Sequence, residues 1–225
     1  MPGRRHEVFR YVVVWDTGIA PNVVGGLCTL CICKPVIRRV AEVGDWIIGL
    51  WPVRLGRYRV TYVMRVGRKL TMQEYYDCGE FDQKKPDHSK TPDNIYRFDP
   101  HVGRLRRRKD TKVHSEPAAS GRDLGGLYAL IADRFWYFGW VGCELPENFR
   151  EKLDLTGSRR GHRVAYLHQA ELDDLIARLD SKGRGAIGAP RDSRRGRQCR
   201  RPDPPPAAPI PGRQEEPARR PRTSC

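Results

Sequence analysis

Hydrophobic positions in this chain come in short blocks separated by turn formers, not in long periodic stretches. Phe9 to Trp15 is a continuous apolar run rich in β-branched and aromatic residues, which predicts a buried strand. Gly18, Pro21, Asn22 and Gly25-Gly26 then force a loop. Lys34-Pro35 sets up a helix start, because proline is tolerated in the first turn. The helix predicted over 35–42 puts Val36, Arg39 and Val40 on one side, with Ile37 and Ala41 nearby. Gly44-Asp45 ends it, and Trp46 to Trp51 reads as a second buried strand. Arg57 to Val66 alternates as a third, with Tyr58, Val60, Tyr62, Met64 and Val66 on one face. Thr71-Met72-Gln73-Glu74 has the form of a capping box, and Tyr75-Tyr76 continues that helix.

From 78 to 125 apolar positions thin out while Asp, Lys, Pro and Gly accumulate. The pattern predicts a long irregular insertion with short ordered pieces such as Asn94-Ile95-Tyr96, and loops of that length are usually functional or mobile. Leu127 to Ala132 and Phe135 to Trp140 read as two strands joined by a tight turn at Asp133-Arg134. Two helices follow, at 147–153 and at 169–179, the second with Leu172, Leu175, Ile176 and Leu179 on one stripe. There are no internal repeats. The sum is an α+β chain, mainly β with short peripheral helices, and neither a regular βαβ series nor a sandwich.

Composition divides the 225 residues into a body, 1–190, and a tail, 191–225. The tail holds eight prolines and ten arginines without an aromatic residue, too little apolar surface to offset the entropy of ordering, so disorder is expected there. Its net charge is +6, which leaves +9 of the total +15 in the body. That excess is consistent with an anionic partner such as nucleic acid, and equally with a solvated arginine-rich surface. No apolar run is long enough to span a membrane, and the basic N-terminus makes a poor signal peptide. Seven cysteines without a secretion signal suggest reduced thiols and a cytoplasmic setting.

Candidate chemistry concentrates between residues 16 and 46. Cys28, Cys31 and Cys33 have C-x-x-C and C-x-C spacing, but a structural zinc site needs a second pair, so neither a metal nor a cofactor is expected. Buried small hydrophobes are the default for these thiols. Cys28 or Cys33 as a nucleophile stays open, since both lie near Lys34 and a helix start. Asp16 and Asn22, at the end of a strand, could hydrogen-bond a base edge or simply cap turns. Trp46 is one of several aromatics able to stack on a base, although most must be core. Arg104, Arg106, Arg107, Arg108 and Lys109 form the strongest basic cluster, able to track phosphates or to remain a solvated loop. His114 and His162 have no carboxylate partner that spacing identifies, so a general-base role for either is unsupported.

Taken together, several of these stretches resemble the nucleotide modification associated domain, type 2. The likeness rests on Tyr11-Val12-Val13, Asp16, Gly18, Ala20-Pro21-Asn22, Gly26, Cys28-Thr29-Leu30, Cys33-Lys34-Pro35, Ile37-Arg38 and Gly44 to Gly49. Asp93 to Tyr96, Phe135 to Gly139, Arg160-Gly161-His162, Gly185 and Gly188 to Pro190 extend it, so that it covers roughly 8–190. Val23-Val24 depart from the family's proline and aromatic, and Cys31 stands where a small residue is usual. The resemblance implies a place in bacterial and phage DNA base-modification systems, with protein partners there. A weaker architectural likeness, to PUA-like barrels of the EVE type, implies an open barrel that holds a modified base. The resulting expectation is a nucleotide- or nucleic-acid-binding domain. Asp16, Asn22, Cys28, Thr29 and Lys34 line its pocket, Trp46 forms a stacking wall and the arginine cluster holds backbone. The alternative is an enzyme acting on a base through Asp16 or Cys28.

Overall fold

The computed structural model describes residues 5–51, 59–153 and 162–191. Its centre is an eight-stranded mixed sheet. β1 (Arg5–Val12) runs parallel to β3 (Trp46–Leu50), with Val8 opposite Trp46 and Val12 opposite Leu50. Parallel neighbours need a crossover, and the chain from 13 to 45 supplies it. That crossover contains the loop, β2 (Thr29–Leu30) and helix α1 (Pro35–Val40). β4 (Arg59–Thr71) pairs antiparallel with β3 on one side and with the 10-residue β7 (Tyr128–Tyr137) on the other. β9 (His162–His168) borders β1, β10 (Gly185–Ala186) and β2 border β7, and β8 (Cys143–Glu144) extends the β7 side of β4. Gly49 sits opposite Tyr62, where a side chain would strike the tyrosine ring at 2.3 Å.

Strand alternation sends two sets of residues to opposite faces. Val8, Trp46, Ile48, Val63 and Trp136 pack against α4 (Glu147–Lys152) and α5 (Gln169–Asp180) through Phe149, Leu172, Leu175 and Leu179. Phe9, Tyr11, Val13, Ile47, Tyr62, Met64 and Tyr137 are covered by the crossover through Cys28, Leu30, Ile37 and Ala41. The sheet is thus the middle of three layers, and each face is buried by a different segment. For that reason it does not curl around a core of its own, and the expected barrel is an open sheet. The mixed, strand-dominated α+β class is as expected.

Two expectations need correction. Asp133-Arg134 is not a turn: β7 runs straight through it. The polar pair lies opposite irregularities of β4, where Gly67 leaves room for Asp133. Asp133 pairs with Arg65 at 3.2 Å and Arg134 with Asp180 of α5 at 2.7 Å, so both charges are satisfied within the strand. Helix α1 keeps Val36, Arg39 and Val40 together on one side, as expected; that side faces solvent, while Ile37, Arg38 and the capping Ala41 are buried. Lastly, the insertion is ordered. The expected capping box opens α2 (Met72–Asp77), and a 3-10 turn over Gly79–Lys84 follows. Next come the hairpin β5 (Tyr96–Asp99) and β6 (Arg104–Arg107), and then α3 (Pro117–Leu124). Its apolar core is small, built on Met72, Tyr75, Phe81, Ile95 and Tyr96 with Cys31, Ile32, Ala129 and Ile131. Buried Lys84, Asp93, Asn94 and Asp123 do much of the docking, and hydropathy does not register such contacts.

The strand expected over 57–66 begins in the described residues at Arg59, and Arg57 and Tyr58 lie outside them. Outside them too are Arg160-Gly161 and the tail beyond Arg191. Among the described residues no helix is long and apolar enough to cross a membrane.

Candidate active site

The first half of the crossover loop is a closed polar network. Asp16, 5 % exposed, accepts from the Tyr137 hydroxyl at 2.8 Å on both carboxylate oxygens, with a longer bond from Gly18 N. Burial pushes its pKa up to about 6, and these hydrogen bonds oppose the rise. Asn22 is enclosed. Its Nδ2 donates to Thr91 O at 2.7 Å, and its Oδ1 accepts from Val24 N and from Lys84 Nζ at 2.8 Å. The Lys84 ammonium also reaches Leu27 O and Asn22 O. Thr29 donates to Asp93 at 2.7 Å, and Tyr75 donates to the other Asp93 oxygen. Cys28, with no exposed surface, has Met64 Sδ at 3.9 Å, and burial pushes its thiol up to about 12. Asn22, Leu27 and Thr29 clamp the insertion to the loop through Thr91, Lys84 and Asp93, while Asp16 and Cys28 fix the loop to β7 and β4.

The second half of the loop is different. Cys33 is half-buried, and its Sγ lies 3.4 Å from Nε2 of His114, 81 residues later. Nδ1 of that imidazole lies 2.6 Å from Asp123 Oδ2. With Nδ1–H donating to the carboxylate, Nε2 is the nitrogen left to take a proton from the thiol. Asp123 is held in turn: Cys33 N donates to Oδ1 at 2.8 Å and the Tyr96 hydroxyl to Oδ2 at 3.0 Å. Burial by itself would lower the His114 pKa, but the Asp123 and Cys33 contacts outweigh it and lift it to about 10. Burial likewise works to raise Asp123, and the neighbouring His114 holds it below the usual carboxylate range. An imidazolium formed by taking the thiol proton is therefore stabilised where it forms.

Arg38 braces the group from behind. Its fully buried guanidinium donates to Cys33 O and Tyr128 O, each at 2.7 Å, and to Asp123 O. It thus joins the segments carrying the thiol and the carboxylate to strand β7. Gly126 lets it in, since a Cβ there would lie 2.3 Å from the guanidinium. Four described non-glycine residues have positive φ: Cys33 at 60°, Lys34 at 42°, His114 at 50° and Leu127 at 63°. Cys33 and His114 belong to this group, Lys34 follows Cys33 directly, and Leu127 adjoins the Gly126–Tyr128 seat of Arg38. Strain gathered in this way persists only where the surroundings fix it, and it clusters at working sites.

The donor atoms of Cys33, His114 and Asp123 lie within 4.8 Å of one another, close enough for a metal ion. The imidazole, however, contacts the thiol through one nitrogen and the carboxylate through the other, and Asp123 already accepts three hydrogen bonds. This arrangement matches nucleophile, base and orienting acid better than a three-ligand centre.

Of the residues expected from sequence, Lys34 is the one beside this group, its ammonium 4.2 Å above the Tyr11 ring. Trp46 lies on the opposite face of the sheet, stacked on Trp136 at 6.2 Å, and does not join the loop. The basic cluster is partly internal. Arg108 forms ion pairs with Asp87 at 2.6 Å and with Asp110, Arg107 donates to Thr111 O at 2.5 Å just before His114, and Arg106 meets Asp99 at 3.3 Å. Arg104 and Lys109 project outward. A cleft of about 410 Å³ at the start of β1 and the Glu42–Asp45 turn shares no residue with the Cys33 group. Sequence reading missed Asp123, Tyr96 and Arg38. It singled out Cys33 and His114 separately, and no spacing connects them.

Among curated proteins and among solved structures, none matches the chain. A protein-family match covers residues 5–197, from the first described strand past the last, and takes in the whole Cys33 group. The chain belongs to the nucleotide modification associated domain 2 family.

Proposed function

We propose that this chain is a thiol-dependent enzyme of a nucleotide-modification system, with Cys33 as nucleophile, His114 as general base and Asp123 as the group that orients and stabilises His114. The observation that carries this reading is the unbroken Cys33–His114–Asp123 chain. The substrate is a modified nucleotide, attacked at an electrophilic carbon of the base or of the group it bears. His114, whose pKa of about 10 keeps it protonated at neutral pH, already holds the proton drawn from Cys33, so the sulfur attacks as the thiolate of an ion pair. The leaving group takes that proton as its own bond to carbon breaks. Water or an acceptor then displaces sulfur, with the now neutral His114 removing its proton, and the thiolate–imidazolium pair is restored. Direct ligand contacts by Asn22, Cys28, Thr29 or Trp46 form no part of this reading, because each is enclosed. A PUA-like barrel forms no part of it either, since the sheet is open.

The test is mass-mapped labelling with iodoacetamide, followed by turnover assays on a panel of modified nucleotides. Cys33 should label first among the thiols, and Cys33→Ala should lose all turnover. Labelling of Cys33 no faster than Cys78 or Cys143, together with turnover that survives Cys33→Ala, overturns the reading.

Recognition of a nucleic-acid strand without chemistry is the second reading, and one feature favours it. Arg97, Arg104 and Arg106 share one face of the β5–β6 hairpin with a single carboxylate, Asp99, which pairs with Arg106, so the face keeps a positive excess that a phosphate backbone would offset. Salt-dependent oligonucleotide binding without any turnover in the nucleotide panel would favour it over the enzyme.

A further inference from the structure

Lys34 follows the nucleophile directly and shares its left-handed backbone. The pair is held from both sides: Arg38 N donates to Lys34 O at 3.1 Å, while Cys33 N and Cys33 O bond to Asp123 and Arg38. This backbone lays the Lys34 side chain across the Tyr11 ring, itself fixed by a 2.8 Å hydrogen bond to the Tyr62 hydroxyl. The ammonium is half-buried, and among the described residues no carboxylate pairs with it. Other lysines differ: Lys69 has Glu42 at 2.6 Å and Lys85 has Asp82 at 2.6 Å. The carboxylate of the site, Asp123, is engaged by His114, Tyr96 and Cys33 N. A partly desolvated cation whose one described partner is an aromatic face lacks a counter-charge that an anion would supply. Burial lowers the pKa of Lys34 and the neighbouring Cys33 opposes that, which puts the two groups in electrostatic contact.

We infer that Lys34 is the anion-binding residue of the Cys33 site, taking a phosphate or carboxylate oxygen of the substrate while the thiol reacts. The inference rests on the thiol-enzyme reading and narrows its substrate to one with an anionic group near the reacting carbon. Cys33 in the full chain is alkylated with iodoacetate, which is anionic, and with iodoacetamide, which is neutral. In Lys34→Gln the iodoacetate-to-iodoacetamide rate ratio should fall roughly tenfold, while Lys34→Arg, which keeps the charge, should preserve it. Inorganic phosphate should slow alkylation of the wild type but not of Lys34→Gln; protection by acetate in its place would identify a carboxylate as the anion. A ratio unchanged in Lys34→Gln, with Cys33 still reactive, overturns the Lys34 role and leaves the thiol enzyme standing. Cys33 inert to both reagents overturns the thiol enzyme. In that event phosphorus NMR decides for Lys34: line broadening of inorganic phosphate that disappears in Lys34→Gln supports anion binding, and equal broadening in both proteins overturns it.

Discussion

Cys28 and Cys33 are five residues apart in one loop, and their surroundings differ in every respect that governs reactivity. Cys28 faces the sheet among Leu30, Tyr62 and Met64, without solvent access, and its thiol is pushed up to about 12. Cys33 is half-buried, on strained backbone, with an imidazole at 3.4 Å and a carboxylate behind it. The loop around Cys28 spends its polar groups on holding the insertion in place. That insertion is what brings His114 and Asp123 to Cys33. One half of the loop is therefore the anchor for the other half's chemistry.

The largest effect expected from this contrast is on reactivity. Cys33→Ala should remove turnover altogether, whereas Cys28→Ala should leave Cys33 alkylation within about twofold of wild type and lower stability by about 1–2 kcal/mol. Stopped-flow alkylation and urea denaturation of both variants measure this, and equal loss of turnover in Cys28→Ala would erase the distinction. Next comes Asp123→Asn, expected to slow Cys33 alkylation and turnover by about 10²–10⁴ through loss of the orienting carboxylate.

On the anchoring side, Lys84→Met leaves the Leu27 and Asn22 oxygens without their buried donor, at about 2–3 kcal/mol in stability by urea denaturation. If the anchor positions the insertion, Cys33 alkylation should slow as well, and a variant that loses stability with unchanged alkylation would separate the two halves. His114 gives a pH signature. Its folded pKa of about 10 lies above the unfolded value near 6.5, so its contribution is complete below pH 6.5 and is lost as pH rises through about 10. The urea midpoint of the wild type should therefore fall more over that window than that of His114→Gln.

The smallest effect is expected at Asp16. Its folded pKa, about 6, is also raised, so the stability it contributes is complete below its unfolded value near 3.9 and is lost as pH rises through 6. At pH 8 Asp16→Asn should be neutral or more stable by about 1 kcal/mol, with turnover retained. Loss of turnover there would instead give Asp16 an acid–base role and move chemistry into the half of the loop assigned to anchoring.

Much of the fold could be read from local pattern. The first strands, α1 after Lys34-Pro35, the Thr71–Glu74 capping box and the leucine stripe of α5 all follow from residue type and spacing. The errors arose where distant partners satisfy a local signal of another kind. Asp133-Arg134 looks like a turn until Arg65 and Asp180 neutralise it within a strand. The insertion looks irregular because polar contacts, including Lys84 to Asn22 and Tyr75 to Asp93, do much of its docking. Of the site, the residues 16–34 stood out as a place for chemistry and Cys33 and His114 stood out singly, but their partnership did not.

Sequence alone determined the family, the mixed α+β class, the basic charge and the position of the loop, because each is written in local residue order or composition. Tertiary structure decided which thiol has a base, which carboxylate orients that base, and which lysine stands uncompensated beside them. Hydrogen bonds and charge pairing act over about 3–4 Å in space and are indifferent to separation along the chain. The 81-position separation of Cys33 and His114 therefore carries no trace of the 3.4 Å contact until the insertion docks.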